Sequence, residues 1–254
     1  MIRFELIHLR RQGVLVIYVL VVVFYAGMLR VIPPDWRGFA LPFLLFSEPA
    51  VIGYIFAGGV FVLEREQNIH APILLSPGGL KRYVQTKMAA FFVYAALSGA
   101  VITLTGTIGT GSAIETGGAI ETTEILRVSS MPGVLAAGLL CGLTSLGYTA
   151  LGLFVAATFR DINSFLMKGV LFLLPMLAVL AIYYTVHDWP ADLALTLLPG
   201  GGFFLLYRTP ALPAGGAGFS AGAGVVNLIV YAVLFRRIAE RRLARRLIGD
   251  SAGE

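Results

Sequence analysis

The chain is expected to fold as an all-α integral membrane protein, with six transmembrane helices and the N- and C-termini cytoplasmic. Three observations predict this. Hydrophobic residues make up 57% of the 254 residues and charged residues only 13%, against roughly 25% charge in soluble domains. The apolar residues gather in uncharged runs, and about 20 residues at about 1.5 Å rise cross a hydrocarbon core of about 30 Å. Lys and Arg divide unevenly between the two sets of loops, which is the signal that orients spans.

Taken in order, residues 1–12 form an amphipathic stretch. Ile2, Leu6 and Leu9 recur at helical spacing, while Arg3, Glu5, Arg10 and Arg11 are polar. The pattern suits an N-terminal interfacial helix or a simple basic anchor. The first span covers 14–32, with Arg30 placed to snorkel. Pro33 and Pro34 follow it instead of a small-residue cleavage site, so it is read as a retained span and not a signal peptide. The remaining spans are 39–63, 88–110, 134–158, 166–186 and 217–235. Residues 193–207 are uncharged but too short to cross, and Pro199-Gly200-Gly201-Gly202 breaks them. They suit a re-entrant hairpin between spans 5 and 6, buried against protein. The whole chain, 1–254, reads as a single transmembrane domain.

The orientation follows from charge. One set of loops holds Arg3, Arg10, Arg11, Arg65, Lys81, Arg82, Lys87, Arg160, Lys168, Arg236, Arg237, Arg241, Arg242, Arg245 and Arg246, which is 15 of the 19 basic residues. The other holds Arg30, Arg37, Arg127 and Arg208. The first set belongs in the cytoplasm. The basic tail, 236–254, continues the last span, with Leu243 and Leu247 on one face and six arginines suited to lipid headgroups. Interleaved aromatics are absent from that run, so nucleic acid is not expected as a partner.

Several classes of activity find no support. There is no phosphate-binding loop with its Lys, and Gly106-Thr107-Ile108-Gly109-Thr110-Gly111 lacks one. His8, His70 and His187 are scattered over both sides and do not make one metal site. No Gly-x-Ser-x-Gly elbow appears. The single Cys141 excludes an internal disulfide and reads as a small buried hydrophobe. Residues 113–122 repeat Ala-Ile-Glu-Thr and read as a low-complexity loop or an acidic outer lip. Gly138 with Gly142, Gly218 with Gly222, and Gly58-Gly59 mark places where helix backbones can approach.

Two features carry function. Glu48 is the one acid deep in an apolar run, followed by Pro49. A charge there costs about 2.5–3.5 kcal/mol on insertion scales, so it should face protein or water. It is a candidate substrate-cavity residue that selects cations or takes a proton; a structural acid bonded between helices is the alternative. The second feature is the polar hairpin 64–87. It opens on Glu64-Arg65-Glu66, runs through Leu74 to Ser76-Pro77, and meets Lys87 ten residues later. A charged start, a short apolar helix, a Ser-Pro stop and a basic re-entry suit a small helix lying against the membrane.

This order of residues resembles the loop between the second and third spans of ABC-2 type transporter permeases. Glu64, Arg65, Glu66, Leu74, Ser76, Pro77 and Lys87 fall in place, while Asn68-Ile69 stands where that family has Gly-Thr and Pro72 interrupts the middle. Glu48-Pro49 ahead of Gly58-Gly59 and Glu64 is most similar to the fluoroquinolone-export permeases of that family. The resemblance implies a permease subunit of an ABC exporter in the inner or plasma membrane. It would form the substrate pathway as a dimer with a second permease copy. The hairpin would couple it to a separate ATPase subunit, the N-terminal helix would lie along the cytoplasmic surface and help form that contact, and ATP and Mg would be bound by the partner. The chain itself would be no enzyme, and would export drugs or other amphipathic small molecules; lipid-linked glycan or small-peptide export stays open. The alternative is a non-transporting integral membrane scaffold that assembles a partner.

Overall fold

A computed structural model describes residues 13–67, 79–107, 131–159, 161–185, 189–208 and 214–251. The expected interfacial helix at 1–12, Leu74, Ser76, Pro77, the 113–122 repeat and the three histidines lie outside the described residues. Every regular element among those described is helical.

Helix α1, Val14–Val31, begins after Gly13, whose φ of 79° is a left-handed conformation that glycine adopts freely. It stops because Ile32 precedes Pro33 and is driven into extended backbone, φ −65° and ψ 129°. Pro34 then opens α2, Pro34–Ser47, at a position where its missing N–H matters least. Arg37 Nε closes this turn on Ile32 O at 3.2 Å.

The α2 helix runs through a π-helical turn, Glu48–Ile52, into α3, Gly53–Glu66. Pro49 is the cause: it has no N–H for Leu45 O four residues back, and its ring crowds that turn. The freed carbonyl is met from another helix, by Cys141 Sγ at 3.3 Å. Ser47 Oγ meanwhile donates to Leu44 O at 3.2 Å.

Helix α4, Gly79–Thr107, packs along α5, Met131–Ala156. Small residues allow the close approach. A Cβ added at Gly138 would meet Ala96 O at 2.6 Å, and one at Gly99 would meet Cys141 Sγ at 2.6 Å. The Gly138/Gly142 pair therefore serves a contact inside the chain. Gly218 and Gly222, by contrast, face open space. Further along α5, Gly152 packs on the backbone of Tyr54 in α3.

Asp161 caps α6, Ile162–Gly169: its carboxylate accepts from Ser164 N at 2.7 Å and from Ser164 Oγ at 2.9 Å. These bonds hold the exposed carboxyl below the usual carboxylate range. The next turn, Val170–Leu173, tightens to a 3₁₀ helix because Pro175 offers no N–H to Leu171 O, which takes the N–H of Leu174 instead. Helix α7, Leu174–Thr185, completes this rod. Two short helices follow, α8, Trp189–Leu197, and α9, Gly201–Arg208. The last, α10, Ala214–Ser251, is a single helix of 38 residues, about 57 Å long. It passes close to α5 where Gly147 faces Ala232.

Contacts fix which ends share a side. Gly106 of α4 packs on Leu29 of α1 and Leu41 of α2, and Tyr184 of α7 bonds Phe39 O. The opposite end gathers the close of α3, the start of α4, the close of α5 and the arginine-rich half of α10. There Arg65 Nη1 donates to Phe159 O at 3.0 Å, and Arg236 shares a cleft with Met88.

Five helical segments are long and apolar enough to cross a membrane: Trp36–Glu66, Gly79–Gly106, Met131–Ala156, Ile162–Thr185 and Gly218–Arg245. The protein thus has the character of a multi-pass membrane protein. The first expected span is shorter, with an apolar stretch of Leu15–Val31. Two other boundaries differ from expectation. The third span begins at Gly79 and not at 88, and the sixth runs on past 235 as one helix. Charged residues end an apolar pattern, but they do not end a helix.

Candidate functional site

Two buried acids and one hairpin concentrate the polar chemistry of the bundle. The first acid is Glu64, on the last turn of α3. Its Oε1 accepts from Lys87 Nζ at 2.6 Å and its Oε2 from Tyr83 OH at 2.6 Å. Tyr83 and Lys87 are one helical turn apart on α4, so both reach the same carboxylate from one face. The ammonium also lies 5.4 Å from the centre of the Tyr83 ring. Glu64 is 2% exposed and Lys87 is fully buried. Such a pair is held by geometry: each charge needs the other once water has been excluded.

Of the expected coupling residues, then, the structure brings Glu64 and Lys87 together inside the bundle. Arg65 ties α3 to the end of α5, and Glu66 is exposed. Leu74, Ser76 and Pro77 are outside the described residues. Tyr83 was not singled out from sequence; its place four residues before Lys87 is the signal that could have found it.

The second acid is Glu48, in the π-helical turn. It is fully buried, and its Oε1 accepts from Ser98 Oγ of α4 at 2.7 Å. Among the described residues its Oε2 has no partner, nor does the buried hydroxyl of Tyr18 on α1. Tyr18 stacks on Tyr94, one turn before Ser98, with ring centres 5.3 Å apart. Glu48 therefore bridges two helices beside an aromatic cluster. It lines neither of the two cavities described for the bundle.

The stretch expected as a re-entrant hairpin folds as α8 and α9, joined at Pro199-Gly200. Gly200 has φ 88°, and a Cβ there would also press on Tyr148 and Phe46, so the turn requires glycine. The first turn of α8 and the last of α9 are side by side, because Arg208 Nη2 lies 2.9 Å from Asp192 Oδ1. That pair is close without hydrogen-bond alignment. Asn227 of α10 holds the buried tip. Its Nδ2 donates to Thr196 O at 2.8 Å and Leu198 O at 3.0 Å, and its Oδ1 accepts from Gly202 N at 3.0 Å. Tyr231 OH donates to Leu197 O, and Tyr148 OH to Pro199 O at 3.2 Å. One side chain thus satisfies the C-terminal carbonyls of α8 and an N-terminal N–H of α9, groups a helix leaves open. Asn227 is the polar residue in the middle of the sixth apolar run, and that alone could have marked it.

The fold and these sites define a multi-pass, all-helical membrane protein braced by buried polar groups at both ends. No group of three metal-ligating side chains occurs among the described residues. No protein-family model matches the chain, and no curated protein matches it either.

Proposed function

We propose that this chain is the membrane permease subunit of an ABC exporter of the ABC-2 type. It would work as a dimer in the inner or plasma membrane, with a separate ATPase subunit that binds ATP and Mg. In this reading six helices cross, α1 included, and the arginine-rich end faces the cytoplasm. The observation that carries the proposal is the Glu64–Lys87 brace. It clamps the two helices that flank the hairpin 64–87, so a push on that hairpin moves α3 and α4 together. Glu66 and Arg65, at the rim, are the charges an ATPase would meet first. The α8–α9 hairpin closes the opposite end in the state described here. Glu48, enclosed in this state, is the acid that would read the charge of an amphipathic substrate when the helices part.

The test is purification of the tagged chain from its own membrane. A polypeptide with a nucleotide-binding loop should accompany it in stoichiometric amount, and ATP hydrolysis by that partner should rise when both are placed in liposomes. Reversal of Glu66 and Arg65 together should weaken the association, since repulsion at a partner contact reduces affinity. Purification without any ATPase would overturn the reading and favour a scaffold.

A further inference from the structure

A cavity of about 640 Å³ opens at the end of the bundle where α1 turns into α2 and α7 ends. Met28, Ile32, Trp36, Phe39, Phe43 and Tyr184 form most of its wall. The volume lies within the roughly 300–1,000 Å³ of small-molecule sites. The wall is apolar, so it favours a hydrocarbon occupant over water. Several lining side chains are also open to the surroundings, Trp36 at 65% and Phe39 at 51%. The cavity is thus entered from the flank of the helices.

One edge of the wall carries polar groups. The rings of Phe39 and Tyr184 lie tilted at 40° with centres 4.1 Å apart, and Tyr184 OH donates to Phe39 O at 2.7 Å. Trp and Tyr favour the level of lipid headgroups. The Arg37 guanidinium is pinned by its Nε to the carbonyl of Ile32, itself a wall residue. The two Nη groups of Arg37 have no partner among the described residues. A fixed guanidinium with a free fork matches a phosphate through two parallel bonds.

We propose that this cavity is a binding site for an anionic phospholipid, with one acyl chain against Phe39, Phe43 and Met28 and the phosphate on Arg37. The combination argues for this occupant over a second copy of the chain. A concave apolar slot with a cation held against one of its wall residues suits a chain with a charged head. Lipid binding at this cavity needs no transport activity.

The test is native mass spectrometry of the full chain, released from nanodiscs that hold equal amounts of phosphatidylglycerol and phosphatidylcholine. The wild type should retain one phosphatidylglycerol in about tenfold preference, the factor that one extra charge-assisted contact of about 1.4 kcal/mol gives. Arg37→Gln should abolish the preference while some lipid of either kind remains. Ala181→Phe, at an exposed wall position, should fill the slot and reduce retention of both lipids. Thermal unfolding of each variant serves as the folding check. Equal retention by the wild type and by a folded Ala181→Phe variant would overturn the site. So would a lipid preference untouched by Arg37→Gln, or an Ala181→Phe variant that changes only the oligomeric mass.

Discussion

Lys87 looks in sequence like a loop charge and in the structure is among the most deeply buried side chains of the bundle. The difference decides what its mutation does. Lys87→Met should strand the Glu64 carboxylate and destabilise the fold by about 3–5 kcal/mol, whereas replacement of both partners by neutral residues of similar volume should cost far less. Thermal unfolding of the two singles and the double in one detergent measures this; singles no worse than the double would refute the brace. Cys141 makes a second residue-scale case. It satisfies the Leu45 carbonyl that Pro49 leaves open, so Cys141→Ser should hold stability and Cys141→Ala should lose about 1–3 kcal/mol. The sequence showed a proline in an apolar run and a cysteine that reads as buried. It did not join them, because their contact spans 96 residues and depends on the packing of α2 against α5.

Among the elements, the α8–α9 hairpin was the most legible from sequence, and α4 and α10 the least. A run of 15 uncharged residues with Pro-Gly at its centre is too short to cross and too broken to be one helix, so its physical constraints are local. The start of α4 was hidden by Lys81, Arg82 and Lys87, whose charges interrupt hydropathy without interrupting hydrogen bonding. What holds the hairpin was not legible either, since it depends on Asn227 being brought beside the turn. Asn227→Leu should leave the Thr196 carbonyl and the Gly202 N–H without the partner Asn227 gives them, at about 1–3 kcal/mol each. Hydrogen exchange at residues 195–204 should rise strongly, while exchange at the Glu64–Lys87 end stays as in the wild type. Uniform loosening of the whole bundle would count against a local tether.

For the molecule as a whole, the relative placement of the ends follows from contacts, and its orientation in a membrane rests on charge. With both termini inside, a membrane-impermeant maleimide should label an engineered Cys at Glu121 from outside and spare one at Gln67 or Arg242. Labelling at Gln67 would reverse the orientation. Wild-type Cys141 is fully buried and should stay silent, so no background needs to be removed. In the proposed arrangement helix α10 would link the two faces of the membrane mechanically. As an unbroken rod held against Gly147 at Ala232, it has Asn227 about 7.5 Å to one side of that pivot and Arg242 about 15 Å to the other. A sideways swing of about 2 Å at the arginine end therefore returns about 1 Å, reversed, at Asn227. Its bonds to Thr196 and Leu198 span 2.8 and 3.0 Å, and such bonds weaken once stretched much beyond 3.2 Å. In the proposed arrangement a see-saw of that proportion would unlatch the hairpin on one side of the bilayer when the tail is pulled on the other.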